Sequence, residues 1–244
     1  MNFDDLMRHW DKFGKEDPLW GILSEKDKKG GGWNLDEFFE TGRKEIERLM
    51  GHVHSVKGGL SFQSALDFGC GVGRLTQPLC SYFHEVHGVD IASSMIELAR
   101  GYNRHGPRCQ YHLNATNDLS LFENDRFDLI YSNITLQHMK PKYSRRYIQE
   151  FVRILKPGGL LLFQLPHAPN YATLKGFIIG VSPSSVFNAF LRIKHRNKPI
   201  MEMYGIRRQG VARLIASCNA RIIDIQQNDN AGQYWNSFQY GITK

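Results

Sequence analysis

Residues Leu66-Asp67-Phe68-Gly69-Cys70-Gly71-Val72-Gly73-Arg74 carry the strongest chemical signal in the 244-residue chain. A short apolar run enters a tight glycine turn, and a helical pattern starts straight after it. Glycines let the backbone approach a ligand with no Cβ in the way, and a helix start offers N–H groups without intrahelical partners. Asp90 closes the next apolar run, 21 residues after Gly69. An acid at that place can accept hydrogen bonds from both hydroxyls of a ribose. Two nucleoside classes share the arrangement. A dinucleotide asks for GxGxxG, and its third glycine position is Arg74 here. Asp67, just ahead of the glycines, would repel a pyrophosphate but suits a ligand carrying an ammonium and a sulfonium. The chemistry favours a cationic nucleoside over a nicotinamide cofactor; glycines serving only turns and packing are the plain alternative.

Such a loop needs strands that end together, with helices between them. Apolar runs at 64–68, 85–89, 109–113, 127–132 and 160–165 read as strands, separated by helices at 75–82, 94–103 and 142–154. In the last of these helices Tyr147, Ile148, Phe151, Val152 and Leu155 form the inward stripe. Lys156-Pro157-Gly158-Gly159 reads as its stop and as a turn into the next strand. This alternation predicts crossover units and a largely parallel sheet covered on both faces. Val211, Leu214, Ile215 and Cys218 mark one face of a later helix. Strands at 221–226 and 233–243 follow, joined by Asn228-Asp229-Asn230-Ala231-Gly232 as an antiparallel edge pair.

Four segments emerge. Residues 1–60 form a helical cap or lid, in which Ile46, Leu49, Met50 and Val53 have the spacing of an amphipathic helix. The stretch Lys28-Lys29-Gly30-Gly31-Gly32 reads as a flexible loop. Residues 61–166 are the ligand-binding core, and residues 205–244 complete it with a helix and edge strands. Between them, residues 167–204 mix Pro169, Gly176, Gly180 and Pro183 with Tyr171, Phe177, Ile178 and Phe187. That is too apolar for a linker and too punctuated for a core element, so an insertion packed over the open end of the sheet is expected.

Composition narrows the classes further. With 41% hydrophobic residues, 15 Phe and 10 Tyr, broad disorder is excluded. Cys70, Cys80, Cys109 and Cys218 are scattered without a CxxC pair, so neither a disulfide framework nor a thiolate metal site is expected, and a reducing, cytoplasmic setting is. The first residues are too polar for a signal peptide, and the longest apolar run is far short of a span, so no membrane partner is expected. N-x-T matches at Asn114 and Asn133 read as chance. The net charge of +7 gathers in basic clusters at 140–156 and 192–213. These are either an ordinary basic surface or one favouring anions: a phosphorylated metabolite, a carboxylate or nucleic acid.

Read together, the motifs resemble those of the class I S-adenosylmethionine-dependent methyltransferases of the small-molecule type. The likeness rests on Leu66 to Gly73, Val86-His87-Gly88-Val89-Asp90-Ile91-Ala92, Phe127-Asp128-Leu129-Ile130-Tyr131-Ser132, and Leu155-Lys156-Pro157-Gly158-Gly159. It runs from about residue 64 to 166 and more weakly through the final strands. The resemblance implies an α/β fold: a Rossmann-like three-layer sandwich whose seven-stranded, mostly parallel sheet has an antiparallel last strand. It also implies S-adenosyl-L-methionine as cofactor, with Gly69, Cys70, Gly71 and Gly73 around its methionyl and ribose part. Asp67 would neutralise its amino group and Asp90 would hold its ribose hydroxyls. Ile91 and Met95 would pack on adenine, and the backbone at Ser132 would face the methionyl amine. Asn114-Ala115 stands where relatives usually have Asp-Ala, so adenine would be met by an amide oxygen. Arg43, on the cap, would pair with the methionyl carboxylate.

For methyl transfer the protein aligns the acceptor, excludes water and, for a hydroxyl or ammonium acceptor, removes a proton. No HExxH or comparable ligand set is present, so no metal is expected. His138, just past the 127–132 strand, is the first candidate base, with loop support as its alternative role; His167 is a weaker candidate. Trp20 either stacks on a ligand or anchors the lid. Tyr171, Phe177, Phe187 and Tyr204 either shape the acceptor pocket or pack in the core. The expected acceptor is a small molecule methylated on O or N, with a carboxylate or phosphate finding charge near residues 192–213. RNA or protein acceptors, and a noncatalytic cofactor-binding protein, remain the alternatives.

Overall fold

The computed structural model describes residues 1–181 and 199–244. Its strands are β1 (Ser64–Phe68), β2 (Glu85–Asp90), β3 (Cys109–Leu113), β4 (Phe127–Ser132), β5 (Leu155–Pro169), β6 (Arg221–Asn228) and β7 (Trp235–Thr243). They form one sheet in the order β3-β2-β1-β4-β5-β7-β6. Every residue of β1 and β4 is buried, as central strands with helices on both faces must be. Strands β1 to β5 pair in parallel, while β7 runs against both of its neighbours, β5 and β6. The expected three-layer sheet with an antiparallel last strand is present. The hairpin holds one refinement: β6 takes the edge and β7 lies inside.

Helices α1 (Phe3–Glu16), α2 (Pro18–Ile22) and α3 (Leu35–Val56) precede the sheet, followed by α4 (Thr76–Leu79), α5 (Ser93–Tyr102), α6 (Pro141–Ile154), α7 (Leu174–Val181) and α8 (Arg208–Ser217). On one face Tyr147 and Phe151 of α6 and Val211 and Ile215 of α8 pack against Phe163 and Tyr240. On the other, Ile46, Met50 and Val53 of α3 pack with Leu79 and Ile96 against Ala65 and Val86. The 3.6-residue stripe read in α3 is the stripe that it buries, and each such fully covered side chain contributes about 2 kcal/mol.

Two elements differ from their sequence reading. The helix expected at 75–82 is only Thr76–Leu79, because beyond Pro78 the amides of Cys80, Ser81 and Tyr82 bond three residues back and close successive tight turns. Residues Lys156–Gly159 stop α6 as expected, yet they lie within β5. Phe127 pairs with Leu155 and Leu129 with Leu160, so the Pro-Gly-Gly excursion is absorbed as a bulge, with Gly158 at φ 77°.

The cap has a small core of its own, Phe13, Trp33 and Phe38, which meets Val72 after the glycine loop and Met95 of α5. Asp11 of α1 fastens it by accepting from the Ser94 amide and the Ser93 hydroxyl, both at 2.9 Å, capping α5 from outside that helix. Of the 167–204 segment, residues 182–198 are outside the described residues, and with them Pro183, Phe187 and the basic residues Arg192 to Lys198. Its last residue returns to the core, the Tyr204 amide donating to Gln137, and just beyond it the Ile206 amide donates to Pro166.

Candidate functional site

A cavity of about 700 Å³ opens outside the carboxyl ends of the parallel strands, beside the paired β1 and β4 where the strand order reverses. Gly69, Cys70, Gly71, Asp90, Ile91 and Met95 line its floor. Asn114 lines it as well, and the sequence had named all seven residues. Trp10 and Ile22 of the cap, Met139, Met201 and Met203 form much of the apolar wall.

The loop glycines answer to specific neighbours. Gly69 has φ 80°, and a Cβ there would stand 2.2 Å from the Thr135 hydroxyl; at Gly71, φ 52°, it would strike Ile22 of α2. Gly73, φ 87°, instead makes room for the Tyr111 ring beneath the loop and does not line the cavity. The loop amides are spent internally. Gly69 and Cys70 donate to the Val89 carbonyl, Gly73 to Cys70, and Gly71 to Asp90 at 2.9 Å. Those four amides are already engaged, which agrees with the charge argument against a pyrophosphate at this loop.

Asp90 uses one oxygen for the Gly71 amide and the other for that of Ala92, also at 2.9 Å. Burial pushes its pKa up, opposed by the amides of Ala92, Gly71 and Ile91. Each oxygen keeps further acceptor capacity at the cavity wall. Asp67 lies behind the loop rather than in the lining. It is buried, accepts from the Thr76 hydroxyl at 2.6 Å, and burial raises its pKa to about 7. Ser132 is also behind the wall, donating to the Phe68 carbonyl and so tying the ends of β1 and β4 together. Asn114 shapes its own loop: its amide nitrogen donates to Thr116 and Asp118 carbonyls, and its oxygen accepts from the Thr116 hydroxyl. Ala115 is exposed and outside the lining. Arg43 is not brought to the cavity; it pairs with Glu40 on the exposed side of α3.

Arg74 was read only as the missing third glycine, yet it is the one Lys or Arg among the described lining residues. It is 4% exposed and bonds Glu45 at 2.8 Å, while its Nε–H is buried with no partner among the described residues. Glu45 also accepts from the Tyr131 hydroxyl at 3.0 Å and from Asn133 at 2.7 Å. A mid-helix glycine was the available signal. A Cβ on Gly42 would stand 2.1 Å from the Arg74 carbonyl, so α3 crosses the glycine loop there, and Glu45 is the next residue on that face.

Next to this network Ile134 has φ 56°, a strained setting for a β-branched residue. Its amide donates to Gln164, which in turn donates to Gln137 and Ser237. The chain of bonds continues to His138. The Gln137 amide faces Nε2 at 3.2 Å, which leaves Nδ1 to donate to the Glu202 carbonyl at 3.0 Å. Burial lowers the His138 pKa to about 4, with Trp10 edge-on against its ring. His138 lines the cavity as a neutral imidazole with both nitrogens engaged. His167 accepts from the Arg208 amide outside the lining. Trp20 donates to the Glu25 carbonyl under Lys29 and anchors the cap, while Tyr171, Phe177 and Tyr204 do not line the cavity. The described basic residues of the 192–213 cluster, Arg207, Arg208 and Arg213, do not line it either. Among the described residues no group of three or more His, Cys, Asp or Glu could hold a metal.

This sheet order, with a glycine loop after β1 and an acid ending β2, is the architecture of the class I S-adenosylmethionine-dependent methyltransferases, and the resemblance in the sequence is borne out. Residues 65–159 match the family model of a methyltransferase domain. The chain is 30% identical over 168 residues to a tRNA N(3)-methylcytidine methyltransferase of Drosophila melanogaster, covering 66% of this chain and 47% of that protein. It is 33% identical over 107 residues to a ubiquinone biosynthesis O-methyltransferase of Coxiella burnetii, covering 43% of this chain and 44% of that one. The chain thus spans about half the length of these relatives. In fold it is similar to magnesium protoporphyrin IX methyltransferase from Synechocystis with bound S-adenosylhomocysteine, at TM-score 0.64, 16% identity and coverage of 99% and 100%. A Leishmania major S-adenosylmethionine-dependent methyltransferase aligns at TM-score 0.66 and 14% identity, covering 99% of this chain and 82% of that one.

Proposed function

We propose that this protein is an S-adenosyl-L-methionine-dependent methyltransferase acting on an O or N atom of a small-molecule acceptor. The observation that carries the reading is the division of one cavity between a nucleoside-type floor, Gly69 to Gly71 with Asp90, and a wall of Trp10, Met139 and Met203. The unpartnered Nε–H of Arg74 and the free acceptor capacity of Asp90 fit the two polar ends of such a cofactor. When bound, the cofactor supplies an electrophilic methyl group on a sulfonium sulfur.

The chain's own residues then do the following. Asp90 accepts from the ribose hydroxyls, already oriented by two backbone amides. Ile91 and Met95 pack on the base, and Asn114 fixes the loop beside it. Arg74, rather than Arg43, takes the methionyl carboxylate, while Glu45 holds the guanidinium in place. Asp67 and Ser132 support the loop from behind, Asp67 through the Thr76 hydroxyl and Ser132 through the Phe68 carbonyl. The apolar wall excludes water and aligns the acceptor, the main source of rate in this chemistry. His138 acts chiefly by fixing Gln137 and the segment at Glu202; accepting a proton at Nε2 would require Gln137 to turn away.

RNA is the second reading, favoured by the tRNA methyltransferase among the relatives and by the net charge of +7. Transfer of labelled methyl to fractionated metabolites, RNA and protein separates the two, beside calorimetry with S-adenosylhomocysteine and NAD. Label confined to RNA would replace the small-molecule acceptor. Binding of NAD alone would end the cofactor assignment, and binding of S-adenosylhomocysteine without transfer to any fraction would leave a noncatalytic binding protein.

A further inference from the structure

The two basic segments of the sequence, far apart along the chain, meet in the fold. Helices α6 and α8 lie side by side on one face of the sheet, where Tyr147 and Phe151 share a core with Val211 and Ile215. The Arg145 guanidinium reaches across to the first turn of α8, so that a Cβ on Gly210 would stand 3.4 Å from it. Lys142, Arg145, Arg146, Arg207, Arg208 and Arg213 are all exposed there. Arg146 has a carboxylate beside it, Glu150 at 3.9 Å, with Asp118 in its field. Among the described residues the other five pair with no acid. Lys142 lies over the Tyr143 ring and Arg208 over that of Phe238, contacts that leave their charge in place. The sequence holds no acidic residue between Glu150 and Glu202, so the chain joining the two helices has no carboxylate to offer, and Glu202 is buried.

This charge does not serve the helices themselves. Helices α1 and α3 start on an asparagine cap with acids in the first turn, Asn2 with Asp4 and Asp5, and Asn34 with Asp36 and Glu37. Helices α6 and α8 start on Lys140 and Arg207, with no side-chain cap bond and no acid in the first turn. Cations at these starts oppose the helix dipole, so an anion from outside relieves a repulsion built into the fold. Both starts lie at the cavity rim: Met139, which precedes Lys140, and Met203, shortly before Arg207, line the cavity. The make-up of the patch narrows the anion. None of the large apolar side chains exposed among the described residues lies on α6 or α8. A membrane-inserting face or a protein hot spot needs one, and unpaired RNA needs exposed rings for its bases. Two packed helices, each about 10 Å wide, are together too broad for the roughly 12 Å major groove of DNA. What fits is a run of phosphates read from outside, as in a helical RNA stem, and five of the six cations are guanidinium groups suited to phosphate oxygens. A stem lying there has its loop beside the cavity, which duplex DNA does not offer.

We propose that α6 and α8 form a docking surface for the phosphate backbone of a helical RNA stem, held by Lys142, Arg145, Arg146, Arg207, Arg208 and Arg213 beside the mouth of the cavity. The claim concerns binding, and it holds whether the methyl group goes to the RNA or to a small molecule. The test is fluorescence anisotropy of the full chain with a labelled RNA hairpin, an unpaired RNA of the same length and a DNA duplex, across a salt series. The hairpin should bind tightest, and its affinity should fall steeply as salt rises. Arg145→Gln/Arg207→Gln should weaken it at least about tenfold and lower the slope of log affinity against log salt by about 2, with S-adenosylhomocysteine affinity and unfolding temperature unchanged. Should that pair unfold earlier than the parent, Lys142→Gln/Arg213→Gln carries the same expectation. Arg104→Gln, exposed between α5 and the edge strand β3, should leave binding as it is. A hairpin that does not bind at low salt, or binds both double variants as it does the parent, overturns the proposal, as does an equal loss from Arg104→Gln. Equal or tighter binding of the unpaired RNA or the DNA duplex overturns it too. Displacement of the hairpin by polyglutamate at equal charge would assign the face to an acidic protein instead. Because S-adenosylhomocysteine binding is read separately, failure of this surface and failure of the methyltransferase reading are distinguishable.

Discussion

Along the floor of the cavity Gly69, Gly71 and Asp90 present backbone and a carboxylate held by two amides, whereas its roof presents side chains gathered from Trp10, Met139 and Met203. The floor is a short turn after β1 beside the end of β2; the roof draws on segments almost two hundred residues apart. A floor of this kind fixes position closely, since glycine backbone has no rotamer and the Asp90 carboxylate is held by two amides. A roof of Trp and Met adapts its shape at small cost. On the function proposed above, the difference places cofactor specificity in the floor and leaves the roof to select the acceptor.

The largest effect that would sharpen this contrast lies in the buried charge beneath the floor. Asp67 has a raised pKa, about 7 in the folded chain against 3.8, so the folded state holds a proton that the unfolded state releases. Stability must then fall as pH rises through that window, and Asp67→Asn should remove the slope. At pH 8 the variant should be more stable by up to about 4 kcal/mol, measured by urea unfolding at pH 5 and 8. Equal slopes in the two proteins would break the assignment. Gly42→Val comes next, because its Cβ would press on the Arg74 carbonyl where α3 crosses the loop. A loss on the order of 3 kcal/mol, together with weakened S-adenosylhomocysteine binding, is expected by thermal unfolding and calorimetry. Normal stability would mean that α3 does not brace the floor.

Smaller effects divide floor from surface. Asp90→Ala and Arg74→Met should each lower S-adenosylhomocysteine affinity by about 1–3 kcal/mol, while Arg43→Met, paired only with Glu40 on the outside, should leave it within about twofold. An Arg43 loss equal to that of Arg74 would restore the cap arginine as the carboxylate partner. The least effect is expected in the roof. His138→Gln should keep cofactor affinity and lose only a few-fold in turnover, if its work is to hold Gln137 and Glu202. A drop of roughly 10²–10⁴-fold at unchanged affinity would identify a general base instead. The lowered pKa also has a sign. The unfolded chain binds a proton at His138 between pH 6.5 and about 4 that the folded chain refuses, so stability is lost as pH falls through that range, and the variant should be less sensitive there.

How much of this could be read in advance follows from the same contrast. Gly69, Gly71 and Asp90 were visible because backbone approach and strand-end position leave fixed spacings, and Ile46 to Val53 because burial imposes a period. Arg74 and Glu45 were not, since their meeting depends on α3 crossing the loop at Gly42, a tertiary contact without local spacing. The β5 bulge escaped for a related reason: Pro157-Gly158-Gly159 has the composition of a turn, and only the register with β4 turns it into an interruption within one strand. Arg43 is the opposite case, a suitable side chain that the structure places beside Glu40 and away from the cavity lining.

The position of β7 has a consequence for how the molecule is made. It is the last strand in chain order, yet it lies between β5 and β6 and forms nine pairs with β5 from Leu160 to Pro169. During synthesis β1 to β5 can assemble first, but β6 reaches its place only through β7. Until those residues leave the ribosome, two open strand edges coexist in one nascent chain. That interval is when mispairing with another copy is most damaging. A translational pause or premature stop between residues 228 and 235 should therefore yield aggregate rather than a shortened enzyme.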